Sequence, residues 1–126
     1  MATLNNVRSL VTTFEGVEET TGKTLSWTVG GKNFVWERPL GKTDLRALGA
    51  AAPQGEIIAA RVANLTDKDV WLERAGCFTT PHFDGYPAVL VCLGEVADDD
   101  LETLVRQAWA ATVRQLSKRQ QRALEA

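Results

Sequence analysis

Along this chain the apolar positions switch between two spacings, one of three to four residues and one of two. The first belongs to a helix with one buried stripe, the second to a strand with one buried face. Leu4, Val7, Leu10, Val11 and Phe14 keep the helical spacing. Thr3 precedes them as an N-cap, and Gly16 stops the run. From Thr24 to Val29 the spacing becomes two, with Thr24, Ser26 and Thr28 alternating with Leu25, Trp27 and Val29. Gly30-Gly31 and then Lys32 to Arg38 complete a hairpin with a two-residue turn. That turn pairs Val29 with Lys32, Trp27 with Phe34 and Leu25 with Trp36, all on one face. Trp27, Phe34 and Trp36 are therefore expected to cluster on the core side.

Further on, Lys42–Leu48 reads as a short helix that Gly49 and Pro53 end. Glu56 to Val62 reads as a third strand, with Ile58, Ala60 and Val62 on one side and Ile57, Ala59 and Arg61 on the other. A second helix runs from a Thr66 cap through Val70, Trp71 and Leu72 to Gly76. A turn at Asp84-Gly85 leads into the apolar run Pro87 to Leu93, which suits a central strand ended by Gly94. Asp99, with Glu102 three residues later, reads as the capping box of a last helix. Its inward stripe is Leu101, Leu104, Val105, Ala108, Trp109 and Thr112. Helix, hairpin, strand, helix, strand, helix predicts an α+β fold: a mainly antiparallel sheet with helices on one side. The domain is expected to span 1–116, with 117–126 a polar helical or frayed extension.

Composition narrows the picture. A chain of 126 residues holds one core. Its 44% hydrophobic and 24% charged residues suit an ordinary globular domain. The net charge of −2 means that any nucleic-acid contact must come from a local basic patch. The apolar stretch Ala88 to Leu93 is too short to cross a bilayer. The first residues, Met1 to Asn6, lack the charged and apolar regions of a signal peptide. Cys77 and Cys92 match no paired spacing and suit free thiols. The expected location is the cytoplasm, with no membrane association.

Candidate chemistry is sparse. His82 is the only histidine, and neither cysteine carries a nucleophile signature, so no catalytic residue is assigned. Asp98, Asp99, Asp100 and Glu102 complement the dipole at a helix start and need no cation. No spacing suits structural zinc, so no metal or cofactor is expected. Gly41-Lys42-Thr43 lacks the first glycine of a phosphate loop. The basic residues fall into two groups. Lys32, Arg38, Lys42, Arg46 and Arg61 lie on or near the sheet, and Arg114, Lys118, Arg119 and Arg122 lie toward the end. Separately, the Pro81–Pro87 turn packs His82, Phe83, Asp84 and Tyr86 together, the kind of loop that serves binding.

The stretch Phe78-Thr79-Thr80-Pro81-His82-Phe83-Asp84-Gly85-Tyr86-Pro87-Ala88-Val89-Leu90-Val91 resembles the signature of the MmcQ/YjbR family. Gly16-Val17-Glu18-Glu19, Gly31-Lys32-Asn33-Phe34 and Ala108-Trp109 agree with it, from about residue 3 to about residue 112. The resemblance implies a frataxin-like double-wing arrangement, a twisted antiparallel sheet with flanking helices. It also implies the family label, a predicted DNA-binding protein. The first functional expectation is thus a DNA-binding module using Lys32, Arg38, Lys42, Arg46 and Arg61. The alternative is a domain binding a small ligand or a protein through His82, Asp84 and Tyr86. Convergence of the basic side chains favours the first, and a concave pocket at His82 and Tyr86 the second. The chain is expected to act as a monomer or small homo-oligomer.

Overall fold

The computed structural model describes residues 2–125. Met1 and Ala126, the outer ends of the expected domain and tail, lie outside the described residues. In chain order the elements are α1 (Leu4–Val11), β1 (Val17–Thr21), β2 (Leu25–Val29), β3 (Lys32–Glu37), α2 (Lys42–Leu48), β4 (Ile57–Arg61), α3 (Leu65–Leu72), β5 (Cys77–Phe78), β6 (Ala88–Cys92), α4 (Asp98–Arg114) and α5 (Lys118–Glu125). A short 3₁₀ turn, Gly49–Ala51, follows α2. The strands form one antiparallel sheet in the order β1-β2-β3-β4-β6-β5. The fold is α+β, as the periodicities imply.

The sheet has two unlike faces. On one, Val7 and Val11 of α1, Trp71 of α3 and the stripe Leu101, Leu104, Val105 and Ala108 of α4 close over Trp27, Ile58, Ala60, Val89 and Val91. On the other, a smaller cluster joins Ile57, Ala59, Ala88, Leu90 and Cys92 to Phe83, with Trp36, Leu40 and Phe78 packed against it. The alternation expected along Glu56 to Val62 holds, and it sends Ile58 and Ile57 to opposite clusters.

The hairpin turns at Gly30 (φ 59°) and Gly31 (φ 80°), the left-handed pair that two-residue hairpins require. Val29 pairs with Lys32 as expected. Beyond that the expected register is wrong. Trp27 pairs with Val35 and Ser26 with Trp36, because an irregularity between Trp27 and Thr28 leaves Phe34 as an extra residue. A bulge of this kind lets two neighbours point the same way. Phe34 and Val35 are both buried in the helix-side cluster, and Trp36 crosses to the opposite face. The expected three-ring cluster therefore does not form.

Three further expectations are corrected. The cap of α3 is Asn64, whose side chain accepts the Asp67 N–H at 2.8 Å, and Thr66 lies inside the helix. Helix α4 begins at Asp98 after Ala97, without a side-chain cap, so Asp99 is a first-turn residue. Trp109 is half-buried. It stacks on Phe14 with centroids 5.6 Å apart and donates its Nε1–H to the Glu15 carbonyl at 3.0 Å. The Thr3 cap of α1 stands, accepting the Asn6 N–H while Asn6 accepts the Thr3 N–H in return.

Strand β1 escaped the sequence reading because four of its five residues are exposed and carry no apolar alternation. It is held by pairing with β2 and by Glu19, which accepts from Arg8 Nε at 2.7 Å and from the buried Trp27 Nε1 at 2.9 Å. Helix α5 folds back onto the hairpin end. Leu124 packs against the helix-side cluster, and Gln120 Nε2 donates to the Gly30 carbonyl at 3.4 Å.

Candidate functional site: a cleft between strand β3 and the His82 turn

The segment between β5 and β6 folds back over the sheet face that lacks the α1–α4 layer. Tight turns shape it. The N–H groups of Phe83 and Asp84 both reach the Thr80 carbonyl, at 2.9 and 3.0 Å, and that of Tyr86 reaches the Phe83 carbonyl at 3.0 Å. Phe83 is buried as the plug of the smaller cluster, whereas His82, Asp84 and Tyr86 are exposed. The three rings meet edge to face, with His82 and Tyr86 at 5.3 and 6.0 Å from Phe83. This is the preferred arrangement of aromatic quadrupoles.

Underneath, Lys68 of α3 clamps the turn. Its ammonium donates to the carbonyls of Phe83 and Tyr86, from a side chain only 4% exposed. Burial pushes the ammonium below the usual lysine range, and the nearby charges of Asp84 and Asp69 partly offset that. No local pattern points to Lys68. A lysine in a mostly polar helix reads as solvated, and only the carbonyls converging from fifteen and eighteen residues away reveal its role.

Opposite the turn stands the end of β3. Arg38 is partly buried, its Cζ 5.4 Å from the Phe83 ring centroid, a cation–π distance. Its Nη2 lies 3.3 Å from Oδ2 of Asp44, a nearly buried carboxylate that also accepts the Gly41 N–H at 2.9 Å. Its Nη1 donates to the Pro39 carbonyl at 2.6 Å. Trp36, Arg38, His82, Phe83 and Tyr86 together enclose a cleft of about 330 Å³.

The expected basic patch is divided. Arg38 lies at the far end of β3 from Lys32, roughly 20 Å away at about 3.3 Å per residue. Lys42 and Arg46 follow on α2, on the Arg38 side. Arg61 lies at the Lys32 end, its Nε donating to the Asn33 carbonyl at 3.0 Å. Sequence proximity concealed this, because one extended strand carries residues six apart in the chain to its two ends. Helix α5 adds Lys118, Arg119 and Arg122 near the hairpin tip, while Arg114 ends α4.

Among the described residues no group of three or more His, Cys, Asp or Glu side chains is placed to hold a metal. Asp98, Asp99 and Asp100 occupy the first turn of α4, with Asp100 3.6 Å from Arg74. No helix among the described residues is long and apolar enough to cross a membrane.

No family model matches the chain. The Deinococcus radiodurans protein DR2400, whose structure contains a DUF419 domain, superposes with a TM-score of 0.66 over 99% of this chain and 89% of that one. At 15% identity that likeness speaks for the fold alone. Two mycobacterial proteins are far more similar in sequence: Uncharacterized protein Rv2570 of Mycobacterium tuberculosis and Uncharacterized protein Mb2600 of Mycobacterium bovis. Each is 49% identical over 88 residues, a span covering 66% of this chain and 68% of the relative. Identity at that level and coverage places the chain in one family with these mycobacterial proteins.

Proposed function

We propose that the protein is a binding domain for a small ligand, taken up in the cleft between Arg38 and the His82 turn. One observation carries the reading: one cation and four aromatic rings converge on a concavity of about 330 Å³. That size is at the lower end of the roughly 300–1,000 Å³ typical of ligand sites, which are lined by rings and a few fixed polar groups. The Lys68 clamp and the plugged Phe83 pre-form the walls, which lowers the ordering cost of binding. Of the residues named from sequence, His82 and Tyr86 line this cleft with Arg38, and Asp84 stands beside it. The MmcQ/YjbR-like stretch fits this reading, since Phe78 to Val91 supplies the turn and the strand beneath it. Free thiols at Cys77 and Cys92 suit a reducing compartment such as the cytoplasm.

The test is chemical-shift mapping with indole and benzamide at millimolar concentration. Shifts should concentrate on the Trp36 indole N–H and on residues 81–87, and His82→Ala/Tyr86→Ala should abolish them. Shifts confined to another surface, or unchanged in the double variant, overturn the reading.

A second reading, nucleic-acid binding, draws on the hairpin tip. Lys32, Lys118, Arg119 and Arg122 are exposed there, and none takes part in an ion pair among the described residues. About three phosphate contacts would give a log–log salt slope of roughly −3 with a labelled duplex. Lys32→Ala/Arg119→Ala should flatten that slope, and no binding at low salt removes this reading.

A further inference from the structure

Resting on the cleft reading, we infer that the site selects a planar heteroaromatic ring bearing no phosphate, because Asp44 has already neutralised the one arginine that faces it. The rings supply the attraction. Tyr86 is 41% exposed, an apolar area left open to a partner, and Trp36 and His82 stand on the same cavity. A flat ligand gains by stacking on these faces and meets polar atoms at its edges.

Charge then decides the class. Arg38 offers the only guanidinium in the cleft wall. Its Nη2 is already paired with the buried Asp44 carboxylate, Nη1 with a carbonyl, and its face with Phe83. An arginine so engaged is an oriented surface with little unspent charge. A phosphate, carrying close to two negative charges, would have to compete with Asp44 at short range. Asp84, on the opposing turn, adds a further negative charge; its Oδ1 accepts the Thr79 hydroxyl at 3.3 Å. Phosphate sites usually present several backbone N–H groups or unpaired arginines. In this turn the N–H groups of Phe83, Asp84 and Tyr86 are all consumed by carbonyls.

Adenosine and adenosine monophosphate make the test, since they share a ring and differ by the phosphate. Calorimetric or shift titrations should show adenosine bound at the cleft and the monophosphate bound no more tightly. Inorganic phosphate should leave residues 81–87 unshifted. Asp44→Asn keeps the shape and the acceptor for Gly41 N–H but frees Arg38. It should improve the monophosphate relative to adenosine by roughly tenfold, the scale of one partly screened charge contact. Independently of that variant, the affinity of the wild-type protein for the monophosphate should be nearly flat in salt, since no net attraction is there to screen. A monophosphate preferred by wild type, with affinity falling steeply in salt, overturns the ligand class and leaves the cleft standing. Titrations in which neither adenosine nor indole shifts any cleft residue remove the binding reading itself.

Discussion

The Lys68 ammonium donates to the Tyr86 carbonyl at 2.9 Å, tying the middle of α3 to a turn eighteen residues away. The same nitrogen serves the Phe83 carbonyl. Replacing it with methionine keeps most of the volume and removes the charged donor from both carbonyls, which keep the Tyr86 and Ala88 N–H groups as partners. A hydrogen bond from a charged group contributes about 1.5–3 kcal/mol, and relief of the ammonium's desolvation offsets part of the loss, so Lys68→Met should lose about 2–4 kcal/mol in urea melts. The amide signals of residues 81–87 should also broaden. A variant as stable as wild type with sharp signals would show that the turn holds itself.

Trp27 and Trp109, two of the hydrogen-bonded tryptophans, should separate cleanly. Trp27 is fully buried and donates to Glu19, whereas Trp109 lies half-buried on Phe14. Trp27→Ala should cost about 3–5 kcal/mol, the range for emptying a large core site. Trp109→Ala should cost less, about 1–3 kcal/mol, because part of its surface already meets water. Denaturant melts of the two variants check the order, and equal losses would contradict it.

Cys77 and Cys92 lie on opposite faces of the sheet, in different clusters. A disulfide between them would need one side chain to pass through the strand layer. Thiol titration without reductant should find two free thiols once the protein is unfolded and a slow reaction before. An intact mass lower by about two hydrogens would count against this.

Burial pushes the Cys77 thiol up to about 11, with Asp100 adding to the rise and Arg74 opposing it. Its ordinary value is 9.0, so the folded state holds this proton more tightly than the unfolded chain does. The contribution is complete below pH 9 and is lost as pH rises through 11. Its size should be at most about 3 kcal/mol. Melts of wild type and Cys77→Ala across that window should converge as pH rises, and parallel profiles would refute the assignment.

Gly16 adopts φ +73°, and a Cβ there would collide with Leu124 of α5. Gly16→Ala should therefore cost the left-handed penalty, about 1–2 kcal/mol, and loosen α5 as well. Leu124→Ala should loosen the helix without the backbone penalty. Hydrogen exchange of residues 118–125 reads the docking. Unchanged protection in Gly16→Ala would mean that α5 tolerates the shift.

Elements with local signals were legible in the chain alone. The Gly30-Gly31 turn, the Thr3 cap, the alternation of Ile57 to Arg61 and the stripe of α4 each follow from a few adjacent side chains, and together they give an α+β fold. The chain also marked His82 and Tyr86 as a polar and aromatic turn outside the core. The rest emerged only once distant segments had packed together. The bulge at Phe34 turns Trp36 from the expected core face into a wall of the cleft. Strand β1 is polar, and its place depends on β2 and on Glu19 meeting Trp27. The five basic residues read as one patch lie at two ends of the sheet, because an extended strand separates what the chain keeps close. Arg38 reads as a free cation until Asp44 folds against it, and Lys68 reads as a surface lysine until two distant carbonyls close over it. In each of these cases the partner lies on another element, reached only after an intervening turn or loop. No local spacing encodes that distance, and burial changes what a charge can do only once the partner is in place.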